Sequence, residues 1–253
     1  MKKVLLFFCV VFLFSCRTPP ESLPDKNVPR HWVTTPENGA LVIIGAIGKQ
    51  SKKSMDIEVA RDEAAKKVAM FYGIQGSVTI VNADSGSVDD YVSISEVDIT
   101  YAQDYEKYRE FLVFDEEKDV IRDEGTIFVR FTYKTLVPQS IKYVSSLDAN
   151  GSPDWINKPP KIDGYLVGVG YAGKHQLLRD AVAKSFQAAA AAIIKQLDAK
   201  GEGSVVVHYS SLGDYRAETT SHLTSKGSLK EFMVIEYYFD SGGVYTLAIA
   251  KAA

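Results

Sequence analysis

Hydrophobic and polar positions recur with two different periods along this chain, and the same succession of periods occurs twice. Near the start, an apolar run over 41–47 has the length and β-branched content of a buried strand. It is followed by Ile57, Ala60, Ala64, Val68 and Phe71 at three- and four-residue spacing, the signature of a helix with one apolar face, which Gly73 stops. Strand-like segments resume over 77–81, 110–114 and 126–133. Farther on, an apolar strand over 165–171 precedes Val182, Phe186, Ala189, Ile193 and Leu197, again at helical spacing and ended by Gly201 and Gly203. Strands are then expected over 204–209, 231–239 and 244–250. The turn sequences Arg122-Asp123-Glu124-Gly125 and Asp240-Ser241-Gly242-Gly243 predict that the last two strands of each half pair as a hairpin. Stretches 84–109 and 210–229 fit neither period throughout: Val97, Tyr101, Tyr105 and Tyr108 keep helical spacing, while 93–99 alternates as a strand would.

The two halves align. Sliding the chain by 123 residues places His31-Trp32 and Pro36 on Asp154-Trp155 and Pro159, and Ile43-Ile44-Gly45-Ala46 on Leu166-Val167-Gly168-Val169. Five residues fewer in the second half then bring Arg61-Asp62 onto Arg179-Asp180. Such ordered landmarks point to a duplication. The expected architecture is α+β: two tandem repeats, at 29–140 and 150–253, each a mainly antiparallel curved sheet packed on one long helix. Across the boundary, Asp148-Ala149-Asn150-Gly151-Ser152-Pro153 has turn and linker chemistry.

The N-terminus has a different character. Lys2 and Lys3 precede eleven apolar residues, Val4 to Phe14, which is the pattern of a secretory signal and falls short of the roughly 18 residues a membrane-spanning helix needs. Leu13-Phe14-Ser15-Cys16 has the form of a lipobox, so 1–15 reads as a lipoprotein signal and Cys16 as the lipidated first residue. Cys9 would leave with the signal, so the processed chain holds no disulfide. Residues 16–28, rich in proline, read as an extended tether. These features predict anchorage through lipid at Cys16 in the cell envelope, with the outer membrane favoured and the folded part facing the periplasm or the exterior.

The lipid-attachment cysteine, Pro153-Asp154-Trp155 leading to Pro159-Pro160, the strand end Gly168-Val169-Gly170-Tyr171-Ala172 and the helix start Arg179-Asp180-Ala181-Val182-Ala183-Lys184 together resemble the LPP-type twenty-kilodalton outer-membrane lipoprotein family. The likeness covers the second repeat and, less fully, the first, where Ala46 and Ile47 replace the Val-Gly step. It implies a non-enzymatic envelope lipoprotein with a structural or assembly role, some relatives being accessory structures around the flagellar basal body, and it supplies no catalytic motif.

Composition agrees with a folded, non-nucleic-acid-binding protein. The chain of 253 residues is 46% hydrophobic, and 29 basic residues against 32 acidic ones leave a net charge of −3, with no basic face to track phosphates. The chemical candidates are few. Gly168-Val-Gly170-Tyr-Ala-Gly173 matches a dinucleotide fingerprint literally, but the helix pattern starts well beyond it and the next strand lacks the acid that would meet a ribose. Its glycines are expected instead to allow close packing under the helix. His31, His175, His208 and His222 are scattered without metal-ligand spacing, so no metal or cofactor is expected. Trp32 and Trp155, each followed four residues later by proline, are expected to anchor a core or an interface. Partners are then the membrane, envelope proteins or a second copy. The alternative carried alongside is an envelope protein that captures a ligand in a cleft between the repeats.

Overall fold

The computed structural model describes residues 28–36, 39–84, 92–123, 125–135, 141–173, 177–199, 204–211 and 219–253. Cys16, the signal over 1–15, nearly all of the tether, and His175 lie outside the described residues. Among the described residues no helix is long and apolar enough to cross a membrane.

The fold is α+β, with two antiparallel sheets and two long helices. In chain order the strands and helices are β1 (His31–Val33), β2 (Ala40–Gly48), α1 (Lys53–Tyr72), β3 (Ile74–Asp84), β4 (Val92–Tyr101), a 3-10 helix (Tyr105–Phe111), β5 (Leu112–Val113), the short α2 (Glu116–Asp119), β6 (Val120–Asp123) and β7 (Thr126–Lys134). A 3-10 turn (Asp154–Ile156) follows the connector over 141–153, then β8 (Leu166–Gly173), α3 (Leu178–Ala199), β9 (Ser204–Ser211), β10 (Thr219–Phe239) and β11 (Gly243–Ala252).

Both halves pair their strands in the same order. In the first, β3 forms a hairpin with β4, while β5 and β6 lie on β7, which pairs with β2. In the second, β9 forms a hairpin with the beginning of β10, the end of β10 pairs with β11, and β11 pairs with β8. Each half thus has an outer hairpin, the arm, and a body that carries its helix. The sheets do not respect the boundary at 141–150. β3 pairs along its whole length with β10, Ile74 opposite Leu229 through Asp84 opposite Thr219, so the first arm joins the second half's sheet. β1 adds to the far end of β10, Trp32 opposite Tyr237. The result is a seven-stranded sheet ordered β4-β3-β10-β11-β8, with β1 and β9 also on β10, and a four-stranded sheet of β2, β7, β5 and β6.

The helices bury the faces that the spacing marks out. In α1, Ala60, Ala64, Val68 and Phe71 are buried while Ile57 is half-buried, and the Gly73 N–H closes the end on the Ala69 carbonyl at 3.2 Å. In α3, Val182, Phe186, Ala189, Ile193 and Leu197 are all buried. Small residues set how closely the helices sit. A Cβ at Gly45 would lie 2.3 Å from the Ala60 carbonyl oxygen, and Cβ atoms at Gly168 and Gly170 would lie 2.2 Å from that of Ala189 and 2.0 Å from that of Ser185. The strands therefore pass directly beneath helix backbone, which only glycine permits.

The core mixes both halves. Leu41, Val68, Phe71, Phe131 and Tyr133 pack in one cluster with Met233, Ile235, Leu247 and Ile249 of the second half. Both tryptophans lie in such mixed clusters. Trp155, from the second half, belongs to that cluster, and Trp32 packs with Phe128 on one side and with Ala181, Val182, Tyr237 and Val244 on the other. They are core residues that tie one half to the other.

Candidate functional site

Two places gather polar chemistry in this frame. The first is a buried carboxylate. Glu236 interrupts the apolar end of β10, is fully buried, and stands opposite Val33 of β1. Three donors converge on it. His31 Nε2 contacts Oε1, the Tyr143 hydroxyl donates to Oε2 at 2.6 Å, and the Ser145 hydroxyl donates to Oε1 at 2.9 Å. Burial, with the carboxylate beside it, pushes the Tyr143 phenol well above its ordinary range, so it remains a donor. A buried carboxylate is tolerable when its lone pairs are satisfied in this way.

Serine, histidine and an acid within bonding distance raise the question of a nucleophile triad. A working triad presents one imidazole nitrogen to the acid and the other to the hydroxyl, so that the ring relays a proton between them. Here Ser145 Oγ, at 3.3 Å, and Glu236 both face the same Nε2, and Ser145 already spends its proton on Glu236. The cluster is arranged as a clasp. It fastens β1, the connector and β10, with Ser152 Oγ and the Tyr238 hydroxyl 3.0 Å apart nearby.

The second place is a cleft of about 380 Å³ between α1, α3 and the end of β4, lined by Glu63, Lys66, Lys67, Tyr101, Arg179 and Phe186 among others. Lys66 is paired with Glu63 at 2.6 Å and Arg179 with its neighbour Asp180 at 3.3 Å. Lys67 differs. Its ammonium donates to the Ile44 carbonyl at 2.6 Å and lies 5.4 Å from the centre of the Phe186 ring. Burial lowers its pKa to about 8, with Glu63 opposing the shift. A perturbed lysine in a cleft is a candidate for holding an anionic group.

The other sequence candidates disperse. Gly168 and Gly170 are consumed by packing under α3, and at Gly173 the nearest atom to an added Cβ is 3.7 Å away, so these glycines do not form one cradle. The two aligned Arg-Asp steps serve locally: Arg61 donates to the Leu112 carbonyl at 2.9 Å, Asp62 pairs with Arg109 at 2.9 Å, and Arg179 pairs with Asp180 at 3.3 Å. The acidic stretch 115–119 includes the single turn α2, capped by the Asp115 carboxylate on the Glu117 and Lys118 N–H groups. Among the described residues no group of three or more histidines, cysteines and acids lies together as a metal would require. The sequence reading missed Glu236, Tyr143 and Ser145. The signal available was an acid inside the run Phe232–Phe239, where a buried strand has no use for a charge without partners.

A scan against protein-family models, a search of the curated proteins and a search of the solved structures each return no match.

Proposed function

We propose that this chain is a lipid-anchored protein of the cell envelope, most simply of the outer membrane, with a structural or assembly role exercised through protein–protein contacts. The observation that carries the reading is the N-terminal signature: a basic start, an apolar run and Leu13-Phe14-Ser15-Cys16, which directs export and acylation. The fold supports a scaffold role, because its polar clusters clasp elements together and its two halves share one sheet. The resemblance to envelope lipoproteins, some of them flagellar accessories, points the same way. Metabolic labelling with palmitate tests the anchor. Wild-type protein should take up label and fractionate with membranes, whereas Cys16→Ala should remain unlabelled and unprocessed. Wild-type protein that stays unlabelled and leaves the membrane fraction would overturn the reading.

A second reading is favoured by one specific observation, the cleft around Lys67. There the chain would capture a small anionic ligand between its halves. Saturable binding of a small carboxylate that Lys67→Met abolishes would put this reading first.

A further inference from the structure

The joint between the two arms is made from unlike edges. β3 and β9 correspond: each leaves the C-terminal end of its long helix and forms the first strand of an arm hairpin. β4 and the beginning of β10 likewise correspond as the second strands. At the centre of the large sheet, the outer edge of β3 receives β10, that is, a first strand of one half receives a second strand of the other. Two edges remain at the ends of this arm sheet, β4 paired only with β3 and β9 paired only with β10 among the described residues. They are the same two kinds of edge that already meet in the middle. A contact between unlike surfaces does not exhaust itself, but continues into a ring or a filament.

The sequence of β9 reinforces this. Ser-Val-Val-Val-His-Tyr-Ser-Ser is β-branched and contains no proline, lysine, arginine or acid, the devices by which natural edge strands avoid pairing. β4, Val-Ser-Ile-Ser-Glu-Val-Asp-Ile-Thr-Tyr, also lacks proline and basic residues.

We propose that a second copy of this chain docks edge to edge, its β4 adding antiparallel to β9, so that chains associate head to tail by repeating the joint that β3 and β10 make within one chain. This rests on the assembly reading above and gives it a partner. Matching the first residues of β3 and β9 carries the central register over to the new joint and sets Ser210 of one chain opposite Asp98 of the next. Directly opposed residues of antiparallel strands are close enough for a cysteine pair to be bridged.

The test uses the full lipoprotein in its own membranes. The acylated Cys16 would leave introduced cysteines without competitors. The double variant Ser210→Cys with Asp98→Cys should give a ladder of dimer, trimer and higher species on mild oxidation. Either single variant alone should give no disulfide-linked species, and co-expression of the two single variants should give one disulfide-linked heterodimer and nothing larger. Absence of the ladder, with both variants retained in the membrane fraction and unchanged in melting temperature, overturns the proposal. So does a dimer from a single variant, which would mean a symmetric contact. Cross-linking of either cysteine to a different protein overturns self-docking and leaves the assembly reading standing, and palmitate labelling of the same samples reports separately on the anchor.

Discussion

The two halves of the molecule pass from arm to body in different ways. In the second half the passage costs a single residue. β10 runs from Thr219 to Phe239 with its register to β11 slipping between Lys230 and Met233, and Glu231 sits at a φ of 51°, a left-handed conformation that a side chain resists. Its carboxylate is held by the Tyr165 hydroxyl at 2.8 Å and by Lys251 at 2.9 Å. In the first half the same passage takes the whole 3-10 helix Tyr105–Phe111. That helix lies against α1, with the Tyr108 ring stacked on Tyr72 at 5.3 Å and Arg109 paired with both Glu58 and Asp62.

A bulge bends a strand and keeps it whole, whereas a helical insertion cuts it. Because β10 is whole, it can hold β3 and β9 at one end and β1 and β11 at the other. Because the first half is cut, its body closes into a separate four-stranded sheet and its arm depends on β10. One half is the spine and the other hangs from it.

If the halves are one cooperative body, the largest loss should come from a core residue of the spine's helix. Phe186→Ala should cost about 3–5 kcal/mol, since the aromatic sits beneath α3 against Phe232 at a ring distance of 5.2 Å and the site cannot collapse fully. Calorimetry should show one shifted transition; two transitions, only one of them shifted, would break the comparison. Next in size, Gly170→Ala should cost about 1–3 kcal/mol by forcing α3 off its strand, while Gly173→Ala should be nearly silent because an added methyl there meets nothing closer than 3.7 Å. Equal melting temperatures for the two variants would show that α3 does not rest on that strand.

Lys67 sharpens the contrast between the helices, because α1 carries a cation towards Phe186 of α3. Its pKa is lowered by burial from 10.5 to about 8, so below pH 8 it is charged in both folded and unfolded chains and the burial penalty is present in full. Between pH 8 and 10.5 the folded protein sheds the proton first and the penalty fades. Lys67→Met should therefore stabilise by about 1–2 kcal/mol at pH 7, and melting curves across that window should show the gain shrinking. A gain that grows with pH would contradict the assignment. The smallest effect is expected at the bulge. In Glu231→Gly, relief of about 1 kcal/mol of left-handed strain offsets the lost bonds to Tyr165 and Lys251, leaving stability within about 1 kcal/mol of wild type by denaturant titration.

Much of this was legible in the chain because it is local. The spacing of Val182, Phe186, Ala189, Ile193 and Leu197 fixes which face of α3 is buried, since a helix has only one period to satisfy. Asp240-Ser241-Gly242-Gly243 sets the β10–β11 turn, with the Asp240 carboxylate accepting from the Gly242 and Gly243 N–H groups at 2.8 Å. The stretches 84–109 and 210–229 resisted reading for a physical reason as well. Tyr101, Tyr105 and Tyr108 keep helical spacing although β4 ends at Tyr101, because the 3-10 helix that follows begins at Tyr105, and the start of β10 owes its conformation to two neighbouring strands more than to its own alternation.

The strand expected over 110–114 is instead the end of the 3-10 helix Tyr105–Phe111 and the two-residue β5, whereas the sequence by itself determined the two long helices with their buried faces, the strands β2 and β8 that precede them, the β10–β11 hairpin and the α+β class. Each of these depends on residues a few positions apart, where periodicity and turn chemistry act directly. Only the tertiary structure decided that β3 lies on β10 instead of closing its own half, that Trp32 and Trp155 sit in clusters shared by both halves, and that His31, Tyr143 and Ser145 meet at Glu236. Those meetings join residues up to 205 positions apart. A strand edge offers the same backbone donors and acceptors to any partner, so nothing in the local pattern of β3 names β10, and the choice falls to whichever packing buries both faces of the shared sheet.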